Sequence, residues 1–254
     1  TAEGQYGYGL VVQGAGSNAE ATDAEISAIG NRSIAVNVTG GGNASLTRGN
    51  VTSSSGGAQG GSAVIIDGAG STGSLTGVQV VAAPTTPSVA YGVRAVNGAA
   101  VSMIGGSITT RTRDGTALSA GNSSITATDL TIATTGTDNS MGALADGNSR
   151  IELIRGSVST GGDEVRQGAR AHGLASRNPG ANLIATDTSV VVTGLNAMGA
   201  VTDDGGSMTL SRNSIRTEGI AGIGLFAVLE QGSAQFISTM NPRNVSVGTH
   251  GEYA

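Results

Sequence analysis

Apolar residues recur along the chain in short bursts of period two: Leu10 and Val12, Val36 and Val38, Val64 and Ile66, Val93 and Ala95. Period two is strand spacing, because successive side chains of an extended chain point to opposite faces. A small residue precedes each burst. The small–apolar pair returns at Gly9-Leu10, Ala35-Val36, Ala63-Val64, Gly92-Val93, Ala117-Leu118, Gly142-Ala143, Gly173-Leu174, Gly199-Ala200 and Gly224-Leu225. The intervals are 26, 28, 29, 25, 25, 31, 26 and 25 residues. Self-similarity at a near-constant period signals a quasi-one-dimensional fold, in which each repeat buries its face only against its neighbours.

The parts of a repeat keep their order. After the first burst comes a turn signal, as at Thr39-Gly40, Asp67-Gly68, Asn97-Gly98, Asp146-Gly147 and Asp204-Gly205. Gly, Asn and Asp tolerate positive φ and sit where a chain turns sharply. A second burst follows, such as Val101-Ser102-Met103 or Ile151-Glu152-Leu153. A five-residue pattern then ends on a β-branched residue, as in Thr47-Arg48-Gly49-Asn50-Val51 and Ser211-Arg212-Asn213-Ser214-Ile215. A third strand leaves from there, and a variable loop returns to the next small residue.

Three short strands and three turns consume about 25 residues at strand rise. A helical repeat would need two amphipathic helices of ten or more residues, which the frequent turn signals exclude. The pattern therefore predicts an all-β chain: a right-handed, single-stranded parallel β-helix of about nine coils, with three short strands each. At ~4.8 Å per coil it would be roughly 40 Å long. Residues 1–254 are expected to form one β-helix domain. Both ends read as cut, with no clear cap and no leader peptide, so the expectation is a segment of a longer protein.

Composition narrows the possible roles. The 254 residues include 43 Gly, no Cys, no Trp and no Lys, and the net charge is −5. Charged residues make up 12%, about half the globular norm, in keeping with stacked coils that leave little room for long side chains. Without Lys or a basic cluster, the electrostatic footprint for nucleic acid is missing. The absence of Cys removes disulfide and thiol chemistry and suits passage through an oxidising compartment. No apolar run is long enough for a membrane-spanning helix.

The recurring motif is specific enough to suggest a family. It consists of a small–apolar burst and a Gly turn, a second burst, then a Gly-Ser/Asn-Val/Ile step. Tyr91-Gly92-Val93-Arg94-Ala95 with Gly105-Gly106-Ser107-Ile108-Thr109 is one instance, and Ile154-Arg155-Gly156-Ser157-Val158 contains the last step again. Over residues 8 to about 247 this resembles the passenger of pertactin-type autotransporters. The resemblance implies a Gram-negative surface or extracellular passenger, a monomer, exported through its own C-terminal outer-membrane barrel. That barrel is not in the sequence. It further implies a non-enzymatic adhesin or host-interaction module, binding a host-cell surface protein or glycan. The Arg-Gly-Asp tripeptide is absent, so no receptor carries over.

Two other readings stand beside it. Polysaccharide lyases and hydrolases also use right-handed β-helices, and need clustered carboxylates on Ca²⁺ or paired for acid–base work. Asp187, Asp203-Asp204 and His250-Gly251 occur in the hydrolase order, but at poor spacing. Asp204 also reads as a turn residue in the column of Asp67 and Asp146. The third reading is a passive stalk. His172 falls in the column of Tyr8, Ile34, Ser62, Tyr91, Thr116, Met141, Met198 and Ile223, which reads as packing. With two His and no Cys a zinc site lacks ligands, and without Lys no phosphate-binding loop forms. No cofactor is expected.

The candidate binding surface is the set of variable loops after the third strand, at 53–61, 82–90, 110–115 and 160–171. All should leave from one corner, and insertions on one face of a solenoid often carry binding. Their charged residues are Arg111, Arg113, Asp163, Glu164, Arg166 and Arg170. One further pattern concerns register. The second position of the five-residue pattern reads Asp23, Arg48, Gly77, Gly105, Asp129, Arg155, Asp187 and Arg212. Opposite charges on stacked coils should pair along a corner.

Overall fold

The computed structural model describes residues 1–4, 6–54, 61–84, 89–136, 140–161, 171–228 and 239–250. All regular structure among them is β, and every strand pairing is parallel. The chain is the expected right-handed parallel β-helix. One coil shows the plan: Met141–Asp146, a turn, Arg150–Ile154, the two-residue corner Arg155-Gly156, then Ser157–Thr160. First strands stack into a nine-stranded sheet running from Tyr8–Gln13 to Ile223–Ala227. Second and third strands stack as two flanks of a second sheet, bent at the corner. In the first three coils these two strands run straight through the corner, as Asn18–Ile29, Asn43–Ser54 and Thr72–Ala82. They are therefore longer than the three to five residues expected. The cause is that only one position is left unpaired at the corner of these coils, with ladder pairing resuming at the next, as at Thr47↔Thr76 and Gly49↔Val78, whereas later coils leave two residues there.

The register follows the small–apolar repeat. Leu10, Val36, Val64, Val93, Leu118, Ala143, Leu174, Ala200 and Leu225 form one stacked column. The seven between the half-buried end residues Leu10 and Leu225 are buried. The second strands add Ile125, Ile151, Leu183 and Met208, and the third add Ile108, Ile132, Val158, Val190 and Ile215. Each coil holds only a thin layer of core, so these side chains are buried by the coils above and below as much as by their own.

The small residue has a steric cause. It and the apolar residue after it both face inward: Ala35 and Val36, Ala63 and Val64, Ala117 and Leu118 are all buried in the main core. A Cβ on Gly142 would collide with Val158 Cγ1 of the third strand, and one on Gly9 would stand 2.7 Å from Ile26 Cγ2. A third-strand β-branched side chain and the next coil's backbone carbonyl fill that space, so Gly9 and Gly142 have no room for a Cβ, whereas Ala35, Ala63 and Ala117 are accommodated in their coils. Two inward residues in succession kink each first strand and break its strict alternation. The residues on either side of the pair are thereby turned outward. Tyr8 is 43% and Val11 47% exposed, and Arg94 lies over the Tyr91 ring, 4.5 Å from its centroid.

Polar residues inside the helix fall into two groups. Asn213 is buried and satisfied: its Oδ1 accepts from Thr188 N at 2.8 Å and its Nδ2 donates to Ala185 O at 2.9 Å. Thr110, Thr134 and Thr160 stack at the inner end of the third strands, with Val192 next and then Thr217. All are buried, and the four threonine hydroxyls lack a hydrogen-bond partner.

Candidate functional site

The corner after the third strand carries the variable loops. The last inward residues of the third strands, Ser53, Ala82, Thr110, Thr134, Thr160 and Val192, stand in one register column. Their followers are tied to the neighbouring coil: Ala83 N donates to Ser53 O, Arg111 N to Ala82 O, Gly161 N to Thr134 O and Thr193 N to Thr160 O, at 2.8–2.9 Å. The return points Ala90, Ser140, Ala171 and Ala197 are buried. The loops thus leave from and return to one corner, as expected. Arg111 is exposed there and Arg113 is half-buried beside Asp114. Asp163, Glu164, Arg166 and Arg170 lie outside the described residues, as do 55–60 and 85–88.

The opposite charges expected along the corner between second and third strands meet in pairs. Arg48 is bidentate on Asp23 (2.7 and 2.8 Å), Arg155 on Asp129 (2.9 and 3.0 Å) and Arg212 on Asp187 (both 2.7 Å). The guanidinium hydrogen bonds are the main reason each carboxyl is held below its ordinary range. Arg155 also acts on Asp187 through charge alone, linking the last two pairs. Every residue of this column has positive φ, from 51° to 64°. The backbone bends here in the left-handed region, where Gly77 and Gly105 are at ease and a charged residue is not. The pairs are solvent-exposed, and their fixed stoichiometry points to register rather than ligand binding.

The outer face of the first sheet carries a second apolar cluster of Met141, Leu144, Ala175 and Val201, with Met198 and Phe226 packed against it. His172 stacks between Met141 and Met198 and is buried. It packs, as expected, but outside the helix rather than in the main core, because the inward pair turns its column outward.

The carboxylates in hydrolase order do not converge. Asp187 is at the corner between second and third strands, paired with Arg212, whereas Asp203 and Asp204 lie at the turn between first and second strands. The column of Asp67 and Asp146 contains Asp203, not Asp204: it runs Asp67, Val96, Gly121, Asp146, Arg177, Asp203. Asp204 stands one place later, at φ 48° like Asn97 and Asn178. The Asp-Gly dipeptide misplaces it, because Gly205 stands two residues after the column, where Gly68 and Gly147 stand one. In that column Arg177 sits between two carboxylates and binds Asp146 at 3.1 Å, while Asn178 Nδ2 donates to the same carboxyl.

A shallow, largely open polar groove lies across the turns that join first to second strands. Its surface is made of Asn122, Ser124, Asn148, Arg150 and Asn182, with bare backbone at Gly98 and Gly180. The residues are unremarkable one by one, and no motif marks them. The legible signal was turn length, which becomes countable only once the register of neighbouring coils is fixed.

No protein-family model matches the chain, and no curated protein or solved structure matches it.

Proposed function

We propose that the chain is a segment of a surface-displayed autotransporter passenger that acts as a non-enzymatic adhesin or host-interaction module. The observation that carries this reading is the loop corner. A rigid stack repeats one coil, and its sequence variation is concentrated in segments attached at a single edge. Such a scaffold presents loops at fixed spacing without needing a closed pocket. The coil motif resembling pertactin-type passengers supports the export route, a C-terminal outer-membrane barrel in the full-length protein. The partner on this reading is a host-cell surface protein or glycan. Polysaccharide cleavage is the weaker reading, because Asp187 and Asp203 occupy different corners.

Beads coated with the purified chain should adhere to host cells above beads coated with albumin. Replacing 161–170 with a tight turn, together with shortening 55–60 and 85–88, should reduce adhesion while leaving the far-UV CD spectrum unchanged. Adhesion no greater than the albumin control would overturn the adhesin reading and leave a stalk.

A further inference from the structure

The groove across the first turns has a simple origin. From the third coil to the seventh, the segments between first and second strands are 68–71, 97–99, 122–123, 147–149 and 178–181. They contain four, three, two, three and four residues. Longer turns stand farther from the axis, so the corner dips at the fifth coil and rises on both sides. The groove's lining, from Gly98 to Asn182, coincides with this dip. It crosses four coils, which at ~4.8 Å per step is roughly 14 Å, the length of a short oligosaccharide.

The chemistry of the dip selects among ligands. Asn148, Asn182 and Ser124 line the groove, the Asn148 carboxamide lying against Gly180, and side-chain amides both donate and accept. Asn122 uses its Oδ1 to accept from Asn148 N at 3.2 Å and so fixes the floor. Arg150 is held by Glu152 at 2.9 Å, and the nearby Asp146 carboxyl is engaged by Arg177 and Asn178. The site therefore carries little uncompensated charge. It also lacks an apolar pocket for the aromatic or aliphatic anchors on which peptide partners depend. Neutral, closely spaced donors and acceptors along a shallow trough match the vicinal hydroxyls of sugars.

We propose that this dip is a binding site for neutral oligosaccharides, with the sugar chain lying along the helix axis across the fourth to seventh coils. The proposal goes beyond the adhesin reading, since it assigns a ligand class to a second surface apart from the loop corner. Without stacking aromatics each site binds weakly, and many displayed copies would act together.

The test uses the purified chain on an array of neutral host-type and bacterial-type glycans, with amide chemical shifts followed during titration of cellotriose, maltotriose and chitotriose. Binding to at least one neutral class is expected, with shifts confined to residues 98, 122–124, 148–150 and 180–182. The array arms separate a host source from a bacterial one. Asn182→Ser introduces the residue already present at the equivalent Ser207, so the fold is retained. Combined with Asn148→Ala it should weaken binding at least tenfold, and Ser124→Trp, which fills the trough, should abolish it. No neutral glycan bound on the array, binding unaffected by these variants, or capture of peptides instead would overturn the proposal. If Asn148→Ala/Asn182→Ser beads still adhere to cells while glycan binding is absent in all proteins, this inference fails and the adhesin reading stands.

Discussion

Arg155 and Asp129, 26 residues apart in the chain, meet across one coil step in a bidentate pair: Nε to Oδ1 at 2.9 Å and Nη2 to Oδ2 at 3.0 Å. Both residues hold a left-handed backbone, at φ 51° and 55°. A slip of one residue between the coils would put each charge opposite a neutral neighbour and place a side chain with ordinary preferences in the strained position. The pair thus fixes register at a corner that has little apolar surface of its own.

Arg155→Glu would line up carboxylates at 129, 155 and 187. The melting temperature should fall, more at low salt than at 0.5 M NaCl, because exposed charges are screened. Arg111→Glu, on the exposed loop edge, should change it little at either salt. Equal losses at 155 and 111 would contradict the register role.

Acid sensitivity follows from the same pairs. Hydrogen bonding to Arg155 depresses the Asp129 pKa in the folded state. A depressed carboxyl pKa contributes stability above the unfolded value of about 3.9, and that contribution disappears as pH falls through the folded value. Arg155→Ala should move the Asp129 carbonyl titration, followed by ¹³C NMR, back up towards the ordinary range. An unchanged titration would mean that the pair is not formed in solution.

The small residue of the repeat should be stringent. Gly142→Val adds a Cβ that already meets Val158 Cγ1 and the Gly173 carbonyl, and two methyls beyond it; overpacking of this kind costs about 1–3 kcal/mol or more. Combining it with Val158→Ala should recover part of the loss in chemical denaturation. Additive losses would place the clash elsewhere.

The two kinds of interior polar residue should respond in opposite ways. Asn213→Leu removes both partners of a buried amide and carbonyl, so a loss of about 1–3 kcal/mol is expected. Thr134→Val removes a buried hydroxyl without a partner and installs the residue that Val192 already supplies in the same column. That substitution should be neutral or raise the melting temperature. A loss at Thr134 as large as at Asn213 would show that the hydroxyl is bonded after all.

Most of the fold was legible because a β-helix repeats its instructions. The Gly9-Leu10 to Gly224-Leu225 pairs gave the period, and period-two bursts gave the strands. The alternation of Asp129, Arg155, Asp187 and Arg212 gave a corner register that the pairs bear out. Three features were not legible. The doubled inward residue moved His172 to the outer face, and a one-dimensional pattern cannot distinguish a small residue facing in from one facing out. Asp203 and Asp204 exchanged roles because either aspartate can introduce a turn. The groove depends on differences among five turn lengths, each ordinary by itself, whose sum becomes a shape only when the coils are stacked.

The most direct measurement is on intact cells. An antibody raised against the purified chain should label unpermeabilised cells that express the full-length gene, and externally added protease should remove the label without lysing them. Labelling that appears only after permeabilisation would contradict a surface-displayed passenger.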